Sequence, residues 1–557
     1  MKPDIRWQLL LATTGLFLVL MLLSYQVQSA ALCTVVVPAV GGTYIEGMVG
    51  RPNSLNPLLS DSYPVDREIN DLIFDGLVRY NEQGQLEPAL AREWSVSEDG
   101  LTITFLLDEG RTWHDGQPVT AEDVAFTYGL MQDEEFPGPS NLIALWQSIT
   151  ITPIDDRQIA FTLTQPYAPF LEATTRGILP AHILGDVPVA QLSSHPFNQA
   201  PVGTGPFMVQ AGQDWARTGR LRLLPNPDAW RQGMQISDLE YRFYASEDEL
   251  VAAFRNGEIH AVNGLSAFLI PQVAAETSAR IFTSIAPRYS ALFFNVSETG
   301  APPMQFREVR QAIGYALDRE ALVDTVLNGQ GIVFNGPFLP EHWASRPDLM
   351  TAYTHQPETA GALLDSTGWV GAGTRLRDGV PLALRFVVLD RPDQRAVAEE
   401  ISRQLSRIGI EAQISLLTDA ATLRQTLAER DYDMALVEVA APNDPDLYDF
   451  WSQEAMIRGQ NFSGWNNRRA SEALENARQI TSQADRNAYY EAFLRQFDAD
   501  LPALTLYQHV DSYILSDAVR EAEIGRVWEA RDRYKSLPAW FLNYRDVTVS
   551  CPQGEGS

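Results

Sequence analysis

From Leu101 to Leu107 apolar and polar positions follow a two-residue period, with Leu101, Ile103, Phe105 and Leu107 on one side and Thr102, Thr104 and Leu106 on the other. That is the period of a half-buried strand, and residues 93–96, before the turn 97–100, are expected to pair with it. Thr120 then opens a helical pattern carried by Val124, Tyr128 and Met131, with Asp123 placed to satisfy the first amides. A helix over 67–77 puts Ile69, Leu72, Ile73 and Leu77 on one face, and a strand starting at Gly47 is expected to end at Asn56-Pro57. Strands are predicted at 149–153 and 158–164, and another at 207–210 after the tight Pro201-Val202-Gly203-Thr204-Gly205-Pro206 loop. Val309, Ile313, Ala316 and Leu317 share a helical face, and Asp318 caps a second helix.

The next passage alternates strand 382–390, helix 394–408 closed by Gly409, strand 410–417, helix 420–429 and strand 434–439. This order favours a right-handed parallel sheet. The turn after its first strand, Asp390-Arg391-Pro392-Asp393, has no Gly-x-Gly-x-x-Gly, so a dinucleotide fold is excluded.

A chain of 557 residues is too long for one core and implies two or three domains. A net charge of −29 argues against nucleic acid, whose phosphates require a basic stripe. The only lysines are Lys2 and Lys535, and neither follows a Gly-rich turn, which excludes a P-loop. The histidines are scattered without His-Glu-x-x-His spacing, and no Gly-x-Ser-x-Gly elbow occurs. No catalytic residue, metal or cofactor is therefore assigned.

At the N-terminus Lys2 and Arg6 precede the apolar run 9–23, which with Trp7 spans about 17 residues, near the lower limit for a bilayer span. With Ser29-Ala30-Ala31 following, this fits a secretory signal peptide, and equally an uncleaved anchor; Leu32 before Cys33 argues against lipoprotein processing. Either way the chain is exported to an oxidising space. Its two cysteines, Cys33 and Cys551, bracket the exported chain within similar β-prone stretches. One disulfide between paired terminal strands is expected, with two free thiols as the alternative.

The run 86–124 carries more than local structure. Trp94, Asp99-Gly100, the strand, Gly110 and then Trp113-His114-Asp115-Gly116-x-Pro118-Val119-Thr120-Ala121-Glu122-Asp123-Val124 resemble the signature of the family 5 extracytoplasmic solute-binding proteins, the peptide- and nickel-type receptors of ABC importers. Val202-Gly203-Thr204-Gly205-Pro206-Phe207 and Val309-Arg310-Gln311-Ala312-Ile313-Gly314-Tyr315-Ala316-Leu317-Asp318-Arg319-Glu320 carry the same resemblance, which extends roughly from Gly42 to Tyr544. It implies an α/β, periplasmic-binding-protein-like fold: two mixed α/β lobes around a ligand cleft, with hinge strands at 289–295 and 504–510. The first lobe would be discontinuous and enlarged, built from 43–288 and 511–551 with an inserted subdomain at about 65–200; residues 289–510 would form the second. Residues 1–42 would be the signal or anchor with its linker.

The implied function is binding of peptides or similar small polar oligomers and delivery to a permease served by cytoplasmic ATPases, by a monomer in the periplasm or on the outer face of the cytoplasmic membrane. A stand-alone receptor or chaperone on the same fold is the alternative. In peptide-binding relatives a segment like Asp-Tyr-Asp-Leu-Ala-Leu-x-Gly-Trp-x-Ala-Asp-Tyr enters the cleft, and its late Asp pairs with the peptide ammonium. Here Val439 stands in place of the Trp and Pro442 in place of that Asp. Pro442 offers neither charge nor N–H, so Glu438 and Asp444 are the candidates to compensate, with Asn443 between the two prolines beside them. The resemblance further suggests Ser62 and Tyr63 on a cleft-lining loop, Thr204 close to the cleft, and Trp146 and Trp465 either lining it or packing.

Overall fold

The computed structural model describes residues 3–28, 32–60, 63–138, 140–230, 233–276, 279–441 and 443–550. An 11-stranded sheet runs through both halves of the molecule. In the first half Thr43–Val49 lies parallel to both Asp238–Tyr244 and Ala261–Asn263. In the second, Ala383–Leu389 lies parallel to Glu411–Leu417 and Met434–Ala440, with helices Pro392–Arg407 and Ala420–Glu429 as crossovers. The expected parallel βαβαβ unit is present, its edges shifted by one or two residues.

The two long antiparallel strands Ala279–Phe294 and Ala503–Ser516 join the halves and cover the expected hinge segments except Asn295, which lies just past the first strand. Their register shifts between Ile285 and Tyr289, an irregularity of the kind that bends a strand and re-aims its side chains. Arg288 sits there and reaches Asp511 and Glu438.

Both ends of the chain contribute to one core in the first lobe. Tyr44 and Met48 share it with Tyr513, Tyr534 and Trp540. Buried Glu46 is held within that core by Tyr513 (2.6 Å), Tyr534 (2.5 Å) and Arg533 (3.2 Å). Three partners make such a carboxylate tolerable, and a buried charge without them would cost several kcal/mol. A separate four-stranded antiparallel sheet contains Ala91–Val96, Thr102–Leu107, Gln158–Thr162 and Thr150–Pro153. The second lobe buries one apolar cluster on each face of its sheet.

Two expected elements end elsewhere. The first strand stops at Val49, not at Asn56-Pro57, because Gly50 turns with φ +96° and the Asp66 carboxylate gathers the N–H groups of Asn53 and Ser54 into a loop. The helix expected at 67–77 is Pro64–Ile73. Pro64 suits a first helical turn, whereas Phe74 is extended, and Gly76 lies so close to the Thr175 carbonyl that a Cβ would collide with it. The Thr120 N–H does bond Asp123 Oδ2 at 2.9 Å, and Asp318 Oδ1 accepts the Ala321 N–H at 2.9 Å.

The terminal strands Leu32–Ala39 and Asn543–Ser550 pair antiparallel, with Cys33 opposite Val549. Cys551 lies outside the described residues. The N-terminal apolar run falls in the helix Pro3–Gln28. Among the described residues no helix is long and apolar enough to cross a membrane.

Candidate ligand cleft

The sequence motifs converge on the support of an interlobe cleft. Trp113 is buried and donates from Nε1 to Asp123 (3.3 Å), which also accepts the Ala181 N–H (2.9 Å). His114 Nδ1 accepts the Gly203 N–H at 3.1 Å, so Nε2 carries the proton and donates to the Gly205 carbonyl at 3.0 Å. Burial lowers the His114 pKa and favours this neutral form. The glycine loop so held lies against Ile73, where a Cβ on Gly203 would strike the Ile73 carbonyl oxygen. Thr204 Oγ1 accepts the Asp75 N–H (3.1 Å), and the Asp75 carboxylate pairs with Arg531 on the cleft wall. Thr204 thus acts from behind the wall, and His114 is structural.

The cleft encloses about 1070 Å³ and draws its walls from both lobes, with arginines and carboxylates matched in number. Helix Pro64–Ile73 presents Arg67 and Asp71, the C-terminal segment supplies Trp528 and Arg531, and the second lobe supplies Glu438 and Arg478. Such a surface offers ion pairs and hydrogen bonds at several points and suits an extended polar ligand.

Glu438 lines this space, but it is already engaged by Arg288 (3.1 Å) and Arg391 (3.6 Å). Burial would raise its carboxyl, and the nearby His509, Arg288 and Arg391 more than offset that and hold it below the usual range. Asp444 is held by Arg486 through both oxygens, at 2.7 and 2.5 Å. Neither carboxylate stands free as a substitute ammonium anchor. Pro442 lies outside the described residues.

Instead, the segment around Asn443 closes on the other lobe. The N–H groups of Asn443 and Asp444 donate to the two oxygens of Glu172, each at 3.0 Å. The Asn443 side chain donates to the Gly84 carbonyl, and its own carbonyl accepts from His342 Nε2 at 2.5 Å. Glu172 lines the cleft beside this contact.

The remaining expectations divide. Ser62 lies outside the described residues. Tyr63 is half-exposed at the cap of helix Pro64–Ile73, between the lining residues Ser60 and Pro64, without lining the cleft itself. Of the two roles open to Trp146, the structure shows packing and not a place on the cleft wall: it is fully buried and stacked on Tyr128 at 4.4 Å, with Phe161 and Phe170 against it. Trp465 likewise packs, against Trp451 and Phe497, with Nε1 donating to Asp500 at 2.8 Å. Sequence reasoning missed Glu172, Arg478 and Arg531. Only Arg531 carried a signal, as a basic residue within an Arg-rich stretch near the C-terminus.

Ser290 Oγ is 2.9 Å from His509 Nε2, and the same nitrogen faces Glu438 at 3.9 Å. Among the described residues no cluster of His, Cys, Asp or Glu could hold a metal ion.

A two-lobed α/β protein with a charged cleft spanned by long hinge strands is a ligand receptor in design. Residues 85–456 match the family model of bacterial extracellular solute-binding proteins, family 5 Middle, and the chain belongs to that family and is extracytoplasmic. It is similar to Protein XP55 of Streptomyces lividans, 29% identical over 85% of this chain and 84% of that protein. It is also similar to the oligopeptide-binding protein AppA of Bacillus subtilis, 26% identical over 84% of this chain and 87% of AppA. The structure of B. subtilis AppA in complex with a nonapeptide superposes with a TM-score of 0.75 at 23% identity, covering 91% of this chain and all of the other.

Proposed function

We propose that this protein is the substrate-binding component of an ABC importer, taking peptides or similar small polar oligomers between its lobes and presenting the closed form to a permease. The observation that carries the reading is the cleft of about 1070 Å³ whose charged walls come from both lobes. A ligand that bridges them binds the closed form better than the open one and shifts the population toward it. The nonapeptide held by AppA supports a peptide as the ligand class. The protein works as a monomer without a catalytic step, and its N-terminal apolar segment directs export. Native mass spectrometry of protein purified without denaturation tests this: retained peptides are expected, and a retained ligand of another chemical class would overturn the peptide assignment.

The ammonium anchor is replaced in this reading. With Glu438 and Asp444 both paired, recognition falls on the ligand's backbone and other side chains, and the free N-terminus contributes little.

A further inference from the structure

Beside the cleft lies a second interlobe cavity of about 660 Å³. Leu145, Ile149 and Leu163 of the first lobe face Tyr448 and Ala455 of the second across it. That volume is within the range of complete small-molecule sites. Leu142, Tyr167, Asp449 and Arg478 line both spaces, so cavity and cleft meet at one shared wall. At that wall the Arg478 guanidinium lies 5.1 Å from the Tyr167 ring and 4.3 Å from the Tyr448 ring, and it donates to Asp446 at 2.6 Å. The Ala168 N–H also donates to the Arg478 carbonyl at 2.8 Å, which ties the lobes together at the same point. The cavity therefore exists only where the lobes meet.

Its chemistry differs from that of the cleft. Ionic side chains of both signs line the cleft throughout, whereas the cavity's lining is mostly apolar, with Leu142, Leu145, Ile149, Leu163, Tyr167 and Tyr448, and its Glu454 and Arg458 are exposed and paired with each other at 3.6 Å. We infer that this cavity is a ligand subsite, filled by the apolar side chain of a peptide whose backbone lies in the cleft. The inference rests on the peptide reading of the cleft and adds a preference: a large aliphatic or aromatic residue at one position, reached only by peptides long enough to pass the Tyr167–Arg478 wall. Arg478 is a positioning residue there. Its fixed guanidinium can meet a ligand carbonyl at the turn from ionic to apolar surroundings.

The test is calorimetry with peptides of increasing length, each made with leucine or serine at every position in turn. In the unsubstituted protein one position of the longer peptides is expected to favour leucine by about ten- to a hundredfold, the worth of burying such a side chain. Ser148 is exposed on the cavity wall, so Ser148→Trp fills the space without disturbing a core position. It is expected to abolish that preference and leave short peptides bound as before; Thr164→Trp, on the same wall, should do likewise. Absence of a leucine preference at any position, or its survival in both variants, overturns the subsite. Failure of every peptide to bind the unsubstituted protein overturns instead the peptide reading on which it rests.

Discussion

Glu172 Oε1 accepts the backbone N–H of Asn443 at 3.0 Å, so a carboxylate of one lobe holds the main chain of the other. Its second oxygen does the same for Asp444. Hydrogen bonds to a charged group are worth roughly 1.5–3 kcal/mol each. Glu172→Ala is expected to weaken ligand binding by about ten- to a hundredfold through loss of the closed form. Glu172→Gln, which keeps one acceptor, should fall between. Isothermal titration with the ligand recovered from the native protein reads both, and unchanged affinity in the alanine variant would remove Glu172 from the closure.

Blocking a peptide's N-terminus should scarcely matter. Glu438 is engaged by Arg288 and Asp444 by Arg486, so acetylation is expected to change affinity by less than about threefold. Matched free and acetylated peptides compared by calorimetry decide this. A loss above about tenfold would show that a carboxylate in the cleft still captures the ammonium.

Stability should respond to pH through His509, which faces Glu438, Arg288, Asp511 and Arg391. Burial lowers its pKa to about 4. Between there and the ordinary histidine value near 6.5 the unfolded chain binds a proton that the folded chain does not, so stability rises with pH across that window and is lost on acidification. Glu529, raised to about 7 by burial, acts with the opposite sign: from its ordinary value up to about 7 the folded chain holds the extra proton, and stability falls as pH rises. His509→Asn should remove the first contribution, on the order of 3 kcal/mol at most, and leave the second. Urea denaturation at pH 4.5 and 7 compares them. Identical pH responses in the two proteins would exclude His509.

Much of the fold was legible because its signals are local. The period-two run at 101–107 and the cap at Thr120 depend on neighbours in sequence, and the alternating passage 382–439 announced its parallel strands. The cleft was legible only in part. Glu438 and Thr204 could be located through motifs, but the partners that occupy Glu438 and Asp444 come from residues as distant as Arg288 and Arg486. Trp146 and Trp465 stayed open in the sequence because an aromatic residue can either face a ligand or fill a core, and only the surrounding Tyr128 and Trp451 decide which. Glu172 carries no motif, and its role exists only once the lobes meet.

His114 should prove structural. His114→Ala removes its side-chain links to Gly203 and Gly205 and leaves buried polar groups unpaired, at about 1–3 kcal/mol each. A lower thermal midpoint is expected, with ligand affinity nearly unchanged once the protein is folded. An affinity loss without a stability loss would place His114 at the ligand instead.

The terminal strands pair with Cys33 opposite Val549, two residues from Cys551 in sequence. A Cys33–Cys551 disulfide is proposed on that register and on the oxidising compartment. Thiol titration of the unreduced, denatured protein should find no free thiol; two would exclude the bond.

Closure of two lobes over a ligand is the central claim, and small-angle scattering on ligand-stripped protein titrated with a peptide pool tests it most directly. The radius of gyration is expected to fall on ligand addition and to saturate, as an open population gives way to the closed arrangement held by Glu172 and Asn443. A radius that stays constant while calorimetry on the same samples registers binding would contradict closure as the mechanism.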